Sequence, residues 1–178
     1  EKIVNTTAIL SELGIPTDFN IIGTISRLDP IKNQRMMLSS FAEVLKQVPN
    51  TILLIVGDGP IRKELEAHCK ELDIESNVRF TGFKIDPQRY LKIMDIFLLS
   101  SLSEGTSMTL LEAMAFSKAS VVTNVGGNPE IVFDEQHALV TPNEDQPGFA
   151  NAIIELLNNK TKREDMGKEA RIRYEKTF

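Results

Sequence analysis

Disulfide chemistry is closed to this sequence: its 178 residues hold one cysteine, Cys69, and a single thiol has no internal partner. Its place in a helical pattern with Leu65 and Leu72 predicts a buried packing thiol and a reducing, cytoplasmic compartment. Histidine is almost as scarce. His68 and His137 stand too far apart to build a site with that cysteine, so no metal is expected. Basic charge is in deficit, with 20 Lys+Arg against 25 Asp+Glu and a net charge of -5. That balance argues against a general nucleic-acid binder and leaves room only for a local cationic site. No apolar run approaches the roughly 20 residues that span a bilayer, and no signal-peptide pattern opens the chain. No Gly-Lys-Ser/Thr follows a spaced glycine, so a P-loop is absent, and no Ser-His-Asp arrangement can be read. The dinucleotide fingerprint is incomplete as well. After Gly57-Asp58-Gly59 the place of the third glycine is held by Arg62, with Pro60 between, which favours a tight strand-to-helix turn.

What is present describes one ordinary globular domain, 42% hydrophobic and 25% charged, without repeats or an internal linker. The chain begins at Glu1 rather than at methionine, which reads as a piece of something longer. Short apolar runs at 19–25, 51–56, 78–81, 96–99, 120–123 and 138–140 predict buried strands. Between them lie helical patterns. A weak one over 1–13 closes at Gly14-Ile15-Pro16; others carry Met37, Phe41, Val44, Leu45 and Val48, then Leu65, Cys69 and Leu72, then residues 87–94. After the last strands come helices marked by Phe149, Ile153 and Leu157 and by Met166, Ala170 and Tyr174. Strands too apolar for one wet face, alternating with helices, predict a doubly wound parallel α/β sheet covered on both sides.

In such sheets ligands bind outside the carboxyl ends of the strands. The loops there are 27–33, 57–60, 82–84, 100–107 and 124–128. The densest chemistry lies in residues 98–130, where Glu104 and Gly105 precede a short helical run carrying Glu112. A helix start concentrates unpaired N–H groups and partial positive charge, which suits phosphate. The run Met108, Leu110, Leu111, Ala113, Met114, Ala115 and Phe116 covers nearly every direction of this helix and predicts burial. Glu112 is the polar exception. Either Thr109 caps the helix and Glu112 closes an S/T-x-x-E box, or the carboxylate meets a ligand's hydroxyl pair. The second is favoured, because a cap at Thr109 would leave barely two turns. Arg27 and Lys32 could neutralise a diphosphate or simply be solvated loop cations, and Ser101, Ser103, Thr106 and Ser107 offer hydroxyls. Gly126-Gly127 suits either a tight turn or close approach to a sugar.

An ordered set of motifs then carries a family resemblance: Gly23-x-x-Ser26-Arg27-Leu28 with Lys32-Asn33, Val56-Gly57-Asp58-Gly59-Pro60, Val78-x-Phe80-x-Gly82, Glu104-Gly105 with Leu110-Leu111-Glu112-Ala113-Met114-Ala115, and Val125-Gly126-Gly127-x-Pro129-Glu130. Together they resemble the retaining GT-B glycosyltransferases of the group-1 type over nearly the whole chain. The resemblance implies that residues 1–178 form a single Rossmann-like domain, the C-terminal half of a GT-B fold, that binds a nucleotide-sugar donor, a UDP- or GDP-sugar, without metal or other cofactor. It implies a hexosyl transfer of the kind used in polysaccharide biosynthesis. Arg27 and Lys32 are implied on the diphosphate, Glu104 on the donor sugar near the reacting carbon, and Glu112 on the ribose. Gly105, Thr106, Ser107, Met108 and Thr109 would receive sugar and phosphate oxygens, and Gly82 and Phe83 would border the base. The N-terminal acceptor-binding domain has no counterpart here; any membrane contact is expected only through it, and the present chain alone is expected to transfer nothing. Alternatives are a related GT-B nucleotide-sugar epimerase, a non-catalytic binding or protein-interaction module, and, less favoured, a dinucleotide-dependent oxidoreductase. Two departures stand out. Thr106-Ser107 replaces a pair such as Phe-Gly, which touches donor contacts, and Phe116-Ser117-Lys118-Ala119 lacks the glycine C-cap, which touches local stability.

Overall fold

The computed structural model describes residues 5–178. The first four residues of the expected 1–13 helix therefore lie outside the described residues; the remainder forms α1 (Thr6–Leu13), capped by the Asn5 side chain on the Ala8 N–H and closed by Gly14 at φ 60°. Strands β1 (Asn20–Ile25), β2 (Thr51–Val56), β3 (Val78–Phe80), β4 (Ile96–Leu99), β5 (Ala119–Thr123) and β6 (Leu139–Thr141) form one sheet in the order β3-β2-β1-β4-β5-β6. Every pairing is parallel. The predicted strands thus all exist, with bounds shifted by one or two residues at β1, β3, β5 and β6, where hydrogen bonding rather than hydrophobicity sets the limit.

The apolar runs are buried because the sheet has two covered faces. Along β2, Leu53 and Ile55 enter one core with Phe41, Val44, Phe149 and Ile153, whereas Ile52, Leu54 and Val56 enter the other with Tyr90, Leu110, Met114 and Ala170. Alternation at a period of two sends neighbours to opposite cores, so a fully apolar strand needs helices on both sides. The first core is covered by α2 (Gln34–Gln47), α3 (Arg62–Glu71) and α6 (Gln146–Asn158). The second lies beneath α1, α4 (Met108–Ala115) and α7 (Lys160–Thr177). The one-turn α5 (Asn128–Ile131) precedes β6, and the expected helix at 87–94 is a 3-10 helix, Pro87–Ile93, pinned by fully buried Tyr90 and Leu91. Cys69 is buried as expected, 2% exposed, and burial pushes its thiol up to about 11.

The missing C-cap glycine of α4 has a structural answer. Ser117 takes the left-handed conformation itself, φ 57°, and the Lys118 N–H reaches Ala113 O while the Ser117 N–H reaches Met114 O, both at 2.9 Å. That pair of bonds is the Schellman pattern, held here by a residue with a Cβ. Ser117→Gly is accordingly expected to raise stability by about 0.5–1 kcal/mol, read as a higher urea midpoint at unchanged slope.

Candidate functional site

The chain order of the sheet reverses between β1 and β4, and a parallel sheet opens a crevice at such a switch point. The loops leaving those two strands are fastened to each other. Ser100 Oγ donates to Lys32 O and Asn33 O at 2.9 and 3.1 Å, and the Leu102 N–H donates to Ile31 O at 2.8 Å. The short 3-10 helix Pro30–Lys32, capped by the Asp29 side chain, turns Lys32 toward the second loop. Lys32 Nζ there meets Glu104 Oε1 at 2.7 Å, and Ser101 Oγ donates to the same oxygen at 2.5 Å. The Glu104 side chain is 8% exposed and that of Lys32 26%. A carboxylate so withdrawn from water needs such partners. Oε2 of Glu104 takes no side-chain hydrogen bond among the described residues and remains an open acceptor.

Glycines bring the outer loops in. A Cβ at Gly126 would lie 1.7 Å from Glu104 O, and one at Gly127 would lie 2.5 Å from Gly105 O. The Gly126-Gly127 pair therefore serves backbone contact with the Glu104 loop, reinforced by the Gly127 N–H on Glu104 O at 3.3 Å. On the other side a Cβ at Gly57 or Gly59 would meet Ser26 O or Leu28 O at 2.0 and 2.2 Å, and the Leu28 N–H bonds Asp58 O at 3.0 Å. The Gly57-Asp58-Gly59 stretch is thus a turn locked to a neighbouring loop, as the incomplete fingerprint suggested. Gln34, fully buried, completes the frame by donating to Ser26 Oγ and Arg27 O. The Arg27 side chain is 71% exposed, with Asp29 at 3.9 Å.

Helix α4 points its start at this crevice. Its cap is Ser107, whose Oγ accepts from the Leu110 N–H at 3.4 Å, so Thr109 is not the cap and the Thr109–Glu112 capping box does not form. Ser107 is buried, which commits its hydroxyl to the helix, and the N–H groups of Met108 and Thr109 have no intrahelical acceptor. The expectation of burial on every side fails at Met108, 63% exposed at the first helical position, because the helix stands on the sheet only from Leu110 onward. Gly105 and Thr106 are exposed. Glu112 is half-buried, and Gln88 Nε2 donates to its Oε1 at 3.0 Å.

A cleft of about 470 Å³ opens beside these groups, lined by residues that include Ser26, Arg27, Gly57, Phe83, Lys84 and Thr109. Gly82, at φ 71°, turns the chain so that Phe83, 78% exposed, stands at the rim. The structure thus brings Lys32 to Glu104, and Arg27, Phe83 and Thr109 to one cleft, from loops far apart in sequence. Sequence reasoning passed over Gln34, Gln88 and Lys84, and it offered the Ser101 hydroxyl to phosphate where the structure gives it to Glu104; an amide or a hydroxyl carries no local pattern that reveals what it will hold. It also passed over a line of hydrogen bonds between α2 and α3, with Ser39 Oγ 3.0 Å from His68 Nε2 and His68 Nδ1 2.9 Å from Glu71 Oε2. The His68 bond holds the Glu71 carboxyl below its ordinary value. Ser39 lies inside a helix, whose backbone N–H groups are already bonded and form no oxyanion hole, so the line serves as an interhelical tie.

Comparison with known proteins places this frame. Residues 5–173 match the family model "Glycosyl transferases group 1". The N-acetyl-alpha-D-glucosaminyl L-malate synthase of Bacillus anthracis is 32% identical over 165 residues, 93% of this chain but 43% of that protein. The chain thus spans less than half the length of that relative. Among solved structures, Anabaena Alr3699/HepE in complex with UDP superposes with a TM-score of 0.90 at 24% identity, over 97% of this chain and 48% of its own. The C-terminal domain of the group 1 family glycosyl transferase LpcC from Francisella tularensis gives 0.86 at 22% identity and is matched over 92% of its length. Those two likenesses speak for the fold, and the family match covers nearly all of the sequence: the chain belongs to the group 1 glycosyl transferases.

Proposed function

We propose that this chain is the donor-binding part of a retaining glycosyltransferase, holding a nucleoside-diphosphate sugar at the β1/β4 switch point while an acceptor-binding domain supplies the rest of the active site. The observation that carries the reading is the Lys32–Glu104 pair in the loop that leads into α4: a cation and a carboxylate with one unused oxygen just before a helix start with unpaired N–H groups. In this reading Arg27 and Lys32 face the diphosphate. A departing nucleoside diphosphate gains negative charge, so preorganised cations and a helix start stabilise it more in the transition state than in the ground state. Glu104 offers its free oxygen to the donor-sugar hydroxyls near the reacting carbon, and the backbone from Gly105 to Thr109 receives sugar and phosphate oxygens. Glu112 takes the ribose hydroxyls, with Gly82 and Phe83 beside the base. The complex of HepE with UDP supports a nucleotide here, and the N-acetyl-alpha-D-glucosaminyl L-malate synthase's name supports transfer of a sugar.

Metal-independent transfer is part of the proposal and rests on the family resemblance. Retention follows the family resemblance. Glycosidase-style reasoning from paired carboxylates does not apply, since Glu112 is assigned to ribose and not to the opposite face of the sugar. No helix among the described residues is long and apolar enough to cross a membrane. The test is calorimetry of UDP, GDP and ADP against this chain and its Glu112→Ala variant. One diphosphate is expected to bind, with affinity at least tenfold weaker in the variant, about the loss of one charge-assisted hydrogen bond. Equal affinity in the variant would remove Glu112 from the ribose, and tight NAD binding would favour the oxidoreductase instead.

A further inference from the structure

We propose that Gln88 is a positioning residue for the nucleotide: its side-chain amide fixes one oxygen of Glu112 so that the other is presented to the ribose hydroxyls. The inference rests on the reading of Glu112 as the ribose ligand and goes one residue beyond it. Gln88 Nε2 donates to Glu112 Oε1 at 3.0 Å, while Glu112 Oε2 takes no side-chain hydrogen bond among the described residues. Both residues are half-buried beside the cleft wall. Pro87, the neighbour of Gln88, lines the cleft, and so does Thr109, which stands one turn before Glu112 on the same helix. The bond therefore ties the segment following Phe83 to helix α4, each beside a residue that lines the cleft.

The support behind Gln88 is rigid. It sits in the 3-10 helix Pro87–Ile93, whose Tyr90 and Leu91 are fully buried, so its amide is held from below while α4 holds Glu112. The donor is also neutral. An amide orients a carboxylate and leaves its charge in place, whereas a lysine or arginine there would neutralise the group that must accept hydrogen bonds from two hydroxyls. Glu104 is held differently, one of its oxygens accepting both from the Ser101 hydroxyl and from the Lys32 ammonium. In a half-buried site a freely rotating carboxylate loses directional hydrogen bonds to a cis-diol, and fixing it lowers the ordering cost when ligand arrives.

Calorimetry with the tighter binder of UDP and GDP, alongside its 2′,3′-dideoxy form, separates positioning from general damage. The wild-type chain is expected to prefer the ribose form, and Gln88→Ala to reduce that preference about tenfold while changing dideoxy affinity less than twofold. Gln88→Glu, which keeps the shape and replaces the donor with a second carboxylate, should lose the preference as well, and it serves if the alanine variant misfolds. If Gln88→Ala and Gln88→Glu keep the full preference while Glu112→Ala abolishes it, the inference is overturned and the ribose reading stands. If Glu112→Ala keeps the preference, or the wild type has none, the ribose reading itself fails and takes the inference with it.

Discussion

Replacing Lys32 with methionine is expected to cost the fold about 2 kcal/mol and to weaken nucleoside-diphosphate binding roughly 10–100-fold. The two effects have different origins. The stability loss comes from Glu104, whose side chain is 8% exposed and would keep only the Ser101 hydroxyl once its 2.7 Å partner is gone. The affinity loss comes from the diphosphate, which loses a cation that no residue replaces. A double variant, Lys32→Met with Glu104→Gln, distinguishes them. Removing the unpaired charge should return most of the stability, since a neutral amide tolerates that site far better than a lone carboxylate, while affinity stays low. Urea unfolding and calorimetry on the two single variants and the double variant supply the measurements. Recovery of affinity together with stability would show that Lys32 acts on the nucleotide only by holding Glu104.

Gly126→Ala should destabilise the chain by about 3 kcal/mol, a fall in Tm of roughly 10 °C at this size. Its φ of 50° alone disfavours alanine. The larger part is steric, because the added Cβ would lie 1.7 Å from Glu104 O, a backbone atom that cannot swing aside. Either the two loops separate, and Glu104 moves away from Lys32, or the turn rearranges. Gly105→Ala is the contrast. Nothing lies within 4 Å of a Cβ built there, so its stability should change by less than about 0.5 kcal/mol. If Gly105 is needed so that a sugar or phosphate can approach the backbone, the same variant should bind a UDP- or GDP-sugar more weakly. Thermal unfolding followed by calorimetry reads both. A Gly126→Ala chain as stable as wild type would mean that the Glu104 loop is held by something other than this contact.

These variants also mark the boundary between local and tertiary information. The strands were legible because burial on two faces imposes unbroken apolar runs, as in β2, whose six residues are all buried. Helix α4 was legible too, as was the reading against a Thr109 cap, but not that Ser107 caps it or that Ser117 supplies a left-handed C′ position usually left to glycine. Cap choice depends on which N–H a side chain reaches, a matter of ångströms that residue type alone leaves open. Met108 shows the same limit, since an apolar residue at the end of a short helix is exposed when the sheet beneath it starts one turn later.

By itself the sequence determined that the chain is a doubly wound α/β fold, and it pointed to the loops at the carboxyl ends of the strands, with Glu104, Glu112, Arg27 and Lys32 as the charged residues to follow. Periodicity, glycine placement and ordered motifs are local properties, and they survive reading one residue at a time. Only the tertiary structure decided that Lys32 and Glu104 touch, that Gly126-Gly127 serves the Glu104 backbone, and that Ser101 and Gln88 each hold one oxygen of a glutamate. Apart from Ser101–Glu104, which share a loop, those contacts join segments far apart in sequence, and the energies of all of them depend on distance and burial, which a linear pattern does not encode.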